Sequence, residues 1–130
     1  MQAKGTFEIQ MTGEPPYSTE DGVTLARAAF TKQFTGDLVG DSRVDFLGAR
    51  TPVDGSAGYV GLERIAGTLG GRAGSFCAIH HGLMDRGAKH LTISIVPDSG
   101  TGELTGIRGT IDIEIVAKQH HYAIDYTIEP

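Results

Sequence analysis

The sequence predicts an all-β protein, an eight-stranded antiparallel meander closed into a barrel. Three observations carry that expectation. Short extended segments follow one another with turn signals between them, and no helical period is sustained over three turns. Glycine recurs at short, uneven intervals inside apolar and β-branched runs, above all in GLERIAGTLGGRAGSF (Gly61–Phe76) and GTGELTGIRGT (Gly100–Thr110). Glycines so placed interrupt strands at bulges, bends and tight turns, the devices that curl a sheet. Finally, 130 residues with 19 glycines and no tryptophan fit one turn-rich β domain, residues 1–130, large enough to bury a core without staples. Closure removes exposed strand edges, the usual solution for strands of this number and length.

Taken in order, Thr6–Met11 reads as the first strand and breaks at Gly13–Pro16. Pro15-Pro16 and Ser18–Gly22 make the longest irregular stretch, expected to be a mobile loop. Val23–Thr35 follows; Leu25–Phe30 can be read as a helical turn, but Thr24, Thr31, Phe34 and Thr35 favour strand. Leu38–Arg50 returns and stops at Thr51–Gly55. Ser56–Leu69 and Ser75–Leu83 pair around Gly70-Gly71, and Ala88–Val96 ends at Pro97-Asp98-Ser99-Gly100. Thr110–Val116 and His120–Glu129 form a terminal hairpin.

Alternation sorts the faces. Ile111, Ile113 and Ile115 oppose Asp112 and Glu114; Tyr122, Ile124, Tyr126 and Ile128 oppose His121, Asp125 and Thr127; Leu91, Ile93 and Ile95 oppose His90, Thr92 and Ser94. A two-residue Gly70-Gly71 turn pairs Ile65 with Phe76 and Leu62 with Ile79, whereas a four-residue loop sets Glu63 opposite His80. Both registers put Glu63 and His80 on one face, with Tyr59, Ile65, Phe76 and Ala78. If the next hairpin turns symmetrically about Arg86, then His90, Thr92 and Ser94 join that face.

The net charge of −5 and the scatter of eleven basic residues argue against nucleic-acid or anionic-membrane partners. The lone Cys77 excludes an intramolecular disulfide and fits a reducing compartment. MQAKGTFEIQM has no secretory apolar region, and no run approaches the ~18 apolar residues of a membrane span. A cytoplasmic protein is the expectation.

The order GTFEI, TKQFTGDLVG, VGLERIAGTLGGRAGSF, PDSGTGELTGIRGT and HHYAIDYTI resembles an uncharacterised bacterial domain family of the allene oxide cyclase-like barrel superfamily, distantly similar to dirigent proteins. The similarity runs from Gly5 to Ile128, and the two glycine runs are its most specific parts. It implies an eight-stranded barrel with a central cavity, association of copies through their barrel walls, and imidazoles matching at His80 and His120. His81 and His121 look particular to this chain. Neither the epoxide-cyclising nor the radical-steering residues of the better-known relatives can be placed here, and fold alone does not imply function.

Glu63 with His80 is the sharpest catalytic candidate, because a carboxylate orienting an imidazole can move protons in a water-poor cavity. The alternative pairs Glu63 with a neighbouring arginine such as Arg43 and leaves His80 to cap backbone. Tyr59, Phe76, His90, Tyr122 and Tyr126 are candidate ligand-binding residues, although core packing explains most aromatics of this kind. Arg27, Arg43 and Arg64 are mid-strand, and one facing inward would anchor an anion. Neither histidine doublet can chelate one ion, since adjacent strand residues face opposite ways, so no metal or cofactor is assigned. Cys77 reads as a buried, inert thiol, and Gly100-Thr101-Gly102 lacks the helix and lysine of a phosphate loop. Three functions follow: a barrel binding a small, mostly apolar ligand; an isomerase or cyclase using Glu63 and His80; or a structural, stress-associated protein with a filled barrel. Cavity volume separates the last from the others.

Overall fold

A computed structural model describes residues Met1–Pro130. Eight strands follow in sequence: β1 (Gln2–Gly13), β2 (Thr24–Gly36), β3 (Leu38–Arg50), β4 (Ala57–Leu69), β5 (Arg72–Asp85), β6 (Ala88–Ile95), β7 (Ile107–Val116) and β8 (Gln119–Ile128). Each is antiparallel to the next, and β8 pairs with β1 to close the barrel, as the sequence predicts. Helix is confined to two short 3-10 turns, Glu20–Gly22 and Gly102–Leu104.

Closure explains where strands outrun their sequence signal. β1 begins at Gln2 because Gln2–Phe7 pairs with Asp125–His120 of β8. β7 begins at Ile107 because Ile107–Gly109 pairs with Ile128–Tyr126. The irregular stretch before β2 is tied down by backbone bonds from Tyr17 N–H to the Leu25 carbonyl (2.9 Å) and from Leu25 N–H to the Ser18 carbonyl (2.8 Å).

Two tight turns set the register of the central hairpins. Gly70 and Gly71 adopt positive φ (57° and 85°), giving the two-residue turn and the pairs Ile65–Phe76 and Leu62–Ile79. Arg86 and Gly87 do the same (49° and 93°), so Asp85 pairs with Ala88 and His80 with Ile93. This corrects the symmetric turn about Arg86: Ile93 and Ile95 share the face of His80, while His90, Thr92 and Ser94 point outward. Cys77 also lies on the outer wall, half-buried rather than fully enclosed.

β6 and β7 meet at one pair, Ser94 with Thr110. The connection between them folds back on β5, where Val96 N–H bonds to the Cys77 carbonyl and Thr101 N–H to the Ser75 carbonyl (2.8 Å each). It carries Leu104, 1 % exposed, into that end of the barrel. The glycine run at Gly100–Thr110 therefore serves closure.

The size of inward side chains divides the interior. Toward one end Phe34, Leu38, Ile65, Leu69, Phe76 and Ile107 belong to a continuous buried core. Toward the other, Ala26, Ala28, Gly48 and Ala57 leave a cavity of about 600 Å³. Strands approach closely where glycines face each other: a Cβ on Gly40 would run into the Ala66 carbonyl oxygen. Gly40→Ala is expected to destabilise the barrel by about 1–3 kcal/mol through overpacking. Gly13→Ala, where a Cβ meets nothing within 4 Å, serves as the control; urea denaturation of both variants checks the difference.

Candidate functional site

Four polar side chains occupy inward positions where the packed half meets the hollow half. Lys32 lies on β2 at the same parity as Phe30 and Phe34, and Ser42 faces it across the β2–β3 ladder. Glu63 on β4 sits beside Val44, and His80 on β5 pairs with Gly61, one step from Glu63 on the same face. All four are buried, Glu63 and His80 at 2 % exposure each.

Glu63 is the hub. Its Oε1 receives His80 Nε2 at 2.7 Å and Lys32 Nζ at 3.3 Å, and its Oε2 receives the Ser42 hydroxyl at 2.6 Å. Lys32 Nζ lies 3.2 Å from Oε2 and 4.8 Å from the centre of the Phe7 ring, which faces the ammonium. Burial pushes the Glu63 carboxyl up. The His80 hydrogen bond, the Lys32 charge, the Ser42 hydroxyl and the His80 charge together outweigh it and hold the carboxyl below its ordinary value of 4.5.

An ionised Glu63 fixes the position of one ring proton of its neighbour: Nε2 carries the proton that bonds to the carboxylate, which leaves Nδ1 as the second polar atom of the ring. Nδ1 has no protein partner, yet no fully buried side-chain nitrogen or oxygen in the molecule lacks one. Nδ1 therefore keeps accessible surface, and His80 lines the cavity. Lys32 and His120 line it too, with walls from Ile9, Phe30, Phe46 and Tyr59. Phe46 meets Phe30, Tyr59 and His80 edge to face, at centroid separations of 4.8, 4.9 and 5.6 Å. A larger recess of about 970 Å³ is lined largely by outer-wall polar residues such as Glu8, Gln10, Gln33 and Asp41, and it lacks a comparable apolar wall.

The fold thus brings Glu63, His80 and Tyr59 together at one cavity, and burial raises the Tyr59 hydroxyl above its ordinary value. Phe76 and Tyr126 belong instead to the packed core. Tyr122 is held there as well: its hydroxyl accepts from Leu38 N–H and donates to the Thr35 carbonyl, both at 2.8 Å. His90 is exposed on the outer wall, away from the cavity. Arg43 pairs outside with Asp45 rather than with Glu63, Arg64 is exposed, and Arg27, also exposed, reaches the lining of the cavity. The buried inward cation is Lys32, which sequence reading missed; its place between Phe30 and Phe34 at period two was the available signal. No group of three or more His, Cys, Asp or Glu side chains forms a metal-binding cluster.

A family model described as a protein of unknown function, DUF3224, matches residues 3–126. The chain is also similar to a crystal structure of a DUF3224-family protein of unknown function from Shewanella oneidensis MR-1. The two are 43% identical with a TM-score of 0.94, over 100% of this chain and 98% of that one. No curated protein matches.

A carboxyl whose folded value lies below its unfolded one stabilises the fold above the unfolded value, and that contribution is lost as pH falls through the folded value. Glu63→Gln leaves the Lys32 ammonium buried without its counter-charge, so it is expected to lower stability near neutral pH by about 3–5 kcal/mol. Measured by thermal melts, the gap between wild type and Glu63→Gln should shrink as pH drops below about 4.5. Lys32→Met combined with Glu63→Gln, which removes both charges, should recover much of the loss.

Proposed function

This chain belongs to the DUF3224 family, and we propose that it is a barrel that binds a small, mostly apolar molecule in its open half. The observation that carries this reading is the cavity itself. It has about 600 Å³, apolar walls and two convergent polar groups, Lys32 and His80, held rigid by a buried carboxylate. That volume lies within the range of small-molecule sites, roughly 300–1,000 Å³. A barrel filled by side chains would have large residues at Ala26, Ala28 and Gly48, where this chain has small ones. The kinship with allene oxide cyclase-like barrels belongs to the same proposal. So does association of copies, which Leu47, Val60, Leu62 and Ile79 support as adjacent exposed apolar positions on β3–β5.

One observation favours a second reading, an isomerase or cyclase. Nδ1 of His80 faces the cavity as a base, its ring fixed by Glu63, with the Lys32 ammonium beside it to steady a developing oxyanion. In this reading His80 removes a proton from the ligand and returns it elsewhere on the same molecule, with no net change in atoms or electrons.

Native mass spectrometry of protein purified from its source is expected to show a co-purifying small molecule. Ala26→Phe, which projects a ring into the cavity, should abolish that mass without unfolding the barrel; retention of the ligand would place binding elsewhere. With the molecule in hand, His80→Gln should cost far more in kcat than in affinity if the enzyme reading holds. Unchanged turnover would eliminate it.

A further inference from the structure

The strand carboxylates are sorted almost entirely to the outer face of the barrel. The chain has sixteen Asp and Glu residues and a net charge of −5. Yet Glu63 is the one carboxylate at an inward strand position, and three donors already saturate it. Asp41, Asp45, Asp85, Asp112, Glu114 and Asp125 all fall on the outward parity. Inward positions from the polar floor to the mouth instead carry cations: Lys32, then Arg50 at the end of β3 and Lys89 opposite Met84 near the start of β6. His80 and His120 add two imidazoles to the same lining. An acidic protein thus encloses a lumen with no free negative side chain, and low-dielectric walls focus that positive potential inward.

From this we infer that the ligand is a small organic acid bound as its anion. Its charged end lies on Lys32 and His80, and its apolar body lies against Phe30, Phe46 and Tyr59. Arg50 and Lys89, exposed at the mouth, draw the anion in. Lys32 has ammonium protons beyond the one given to Glu63. A ligand acid that brings its own proton places it between its carboxylate and Nδ1 of His80. A neutral hydrocarbon finds no polar partner at the floor, and an ammonium group would meet the like charge of Lys32 there.

This inference rests on the binding reading above, and the test separates the two. Binding would be measured by calorimetry for three matched pairs: 2-naphthoate and 2-naphthamide, cinnamate and cinnamamide, octanoate and octanamide. For at least one pair the acid should bind about tenfold or more tightly than its amide, the scale of one added charge-assisted hydrogen bond. Lys32→Met with Glu63→Gln, confirmed folded by circular dichroism, should erase most of that preference. Arg50→Gln with Lys89→Gln should slow association of the acid and flatten its salt dependence while leaving the amide unchanged. Equal binding of acid and amide in every pair overturns the anion assignment and leaves the binding reading standing. No binding in any pair, together with no molecule on the source-purified protein, overturns both.

Discussion

The buried charge of Glu63 governs the middle of this barrel, because an ionised carboxylate without partners is too costly to enclose. Each neighbouring strand on its side of the barrel supplies part of the answer: Lys32 from β2, Ser42 from β3 and His80 from β5 converge on β4. These contacts lock four strands at one level, so the register of each hairpin and the placement of the charge are mutually dependent. Replacing the group by apolar residues would be expected to keep or raise stability. The expense of a polar cluster here makes sense when the space above it is used.

That space exists because small residues collect on the inner face toward one end. Large side chains fill the half with Phe34, Leu38, Leu69 and Phe76; alanine and glycine line the half around Gly48 and Ala57. The polar cluster lies at the boundary. Below it, packing fixes the ring of His80 and the stem of Lys32; above it, those same groups meet an open-mouthed, mostly apolar volume. Position along the barrel axis therefore separates a core from a site within one continuous sheet.

Much of this was legible in the sequence. The Gly70-Gly71 turn and strict alternation place Glu63 and His80 on one face, the closed barrel puts that face inside, and both glycine runs prove architectural. His90 was misplaced because the chain turns on Arg86 and Gly87 together, and a one-residue difference in a hairpin exchanges its faces. Lys32 escaped notice because a lysine in a strand ordinarily reads as solvent-facing; only its partner Glu63, distant in sequence, makes burial affordable. Tyr122, Tyr126 and Phe76 look like cavity residues in the sequence, and nothing short of the register along the axis assigns them to the packed half.

The join between β6 and β7 has a consequence for how the cylinder behaves as a mechanical object. Other neighbouring strands are stitched along their length, whereas here one residue pair and a folded-back connection hold the wall together. A seam held by so few ladder bonds is the least costly place for the circumference to change. The cost of admitting a bulky guest is then concentrated in a few hydrogen bonds near Ser94 and Thr110. That place lies beside the charge cluster and not remote from it, since Ser94 pairs with Ile79, the residue next to His80.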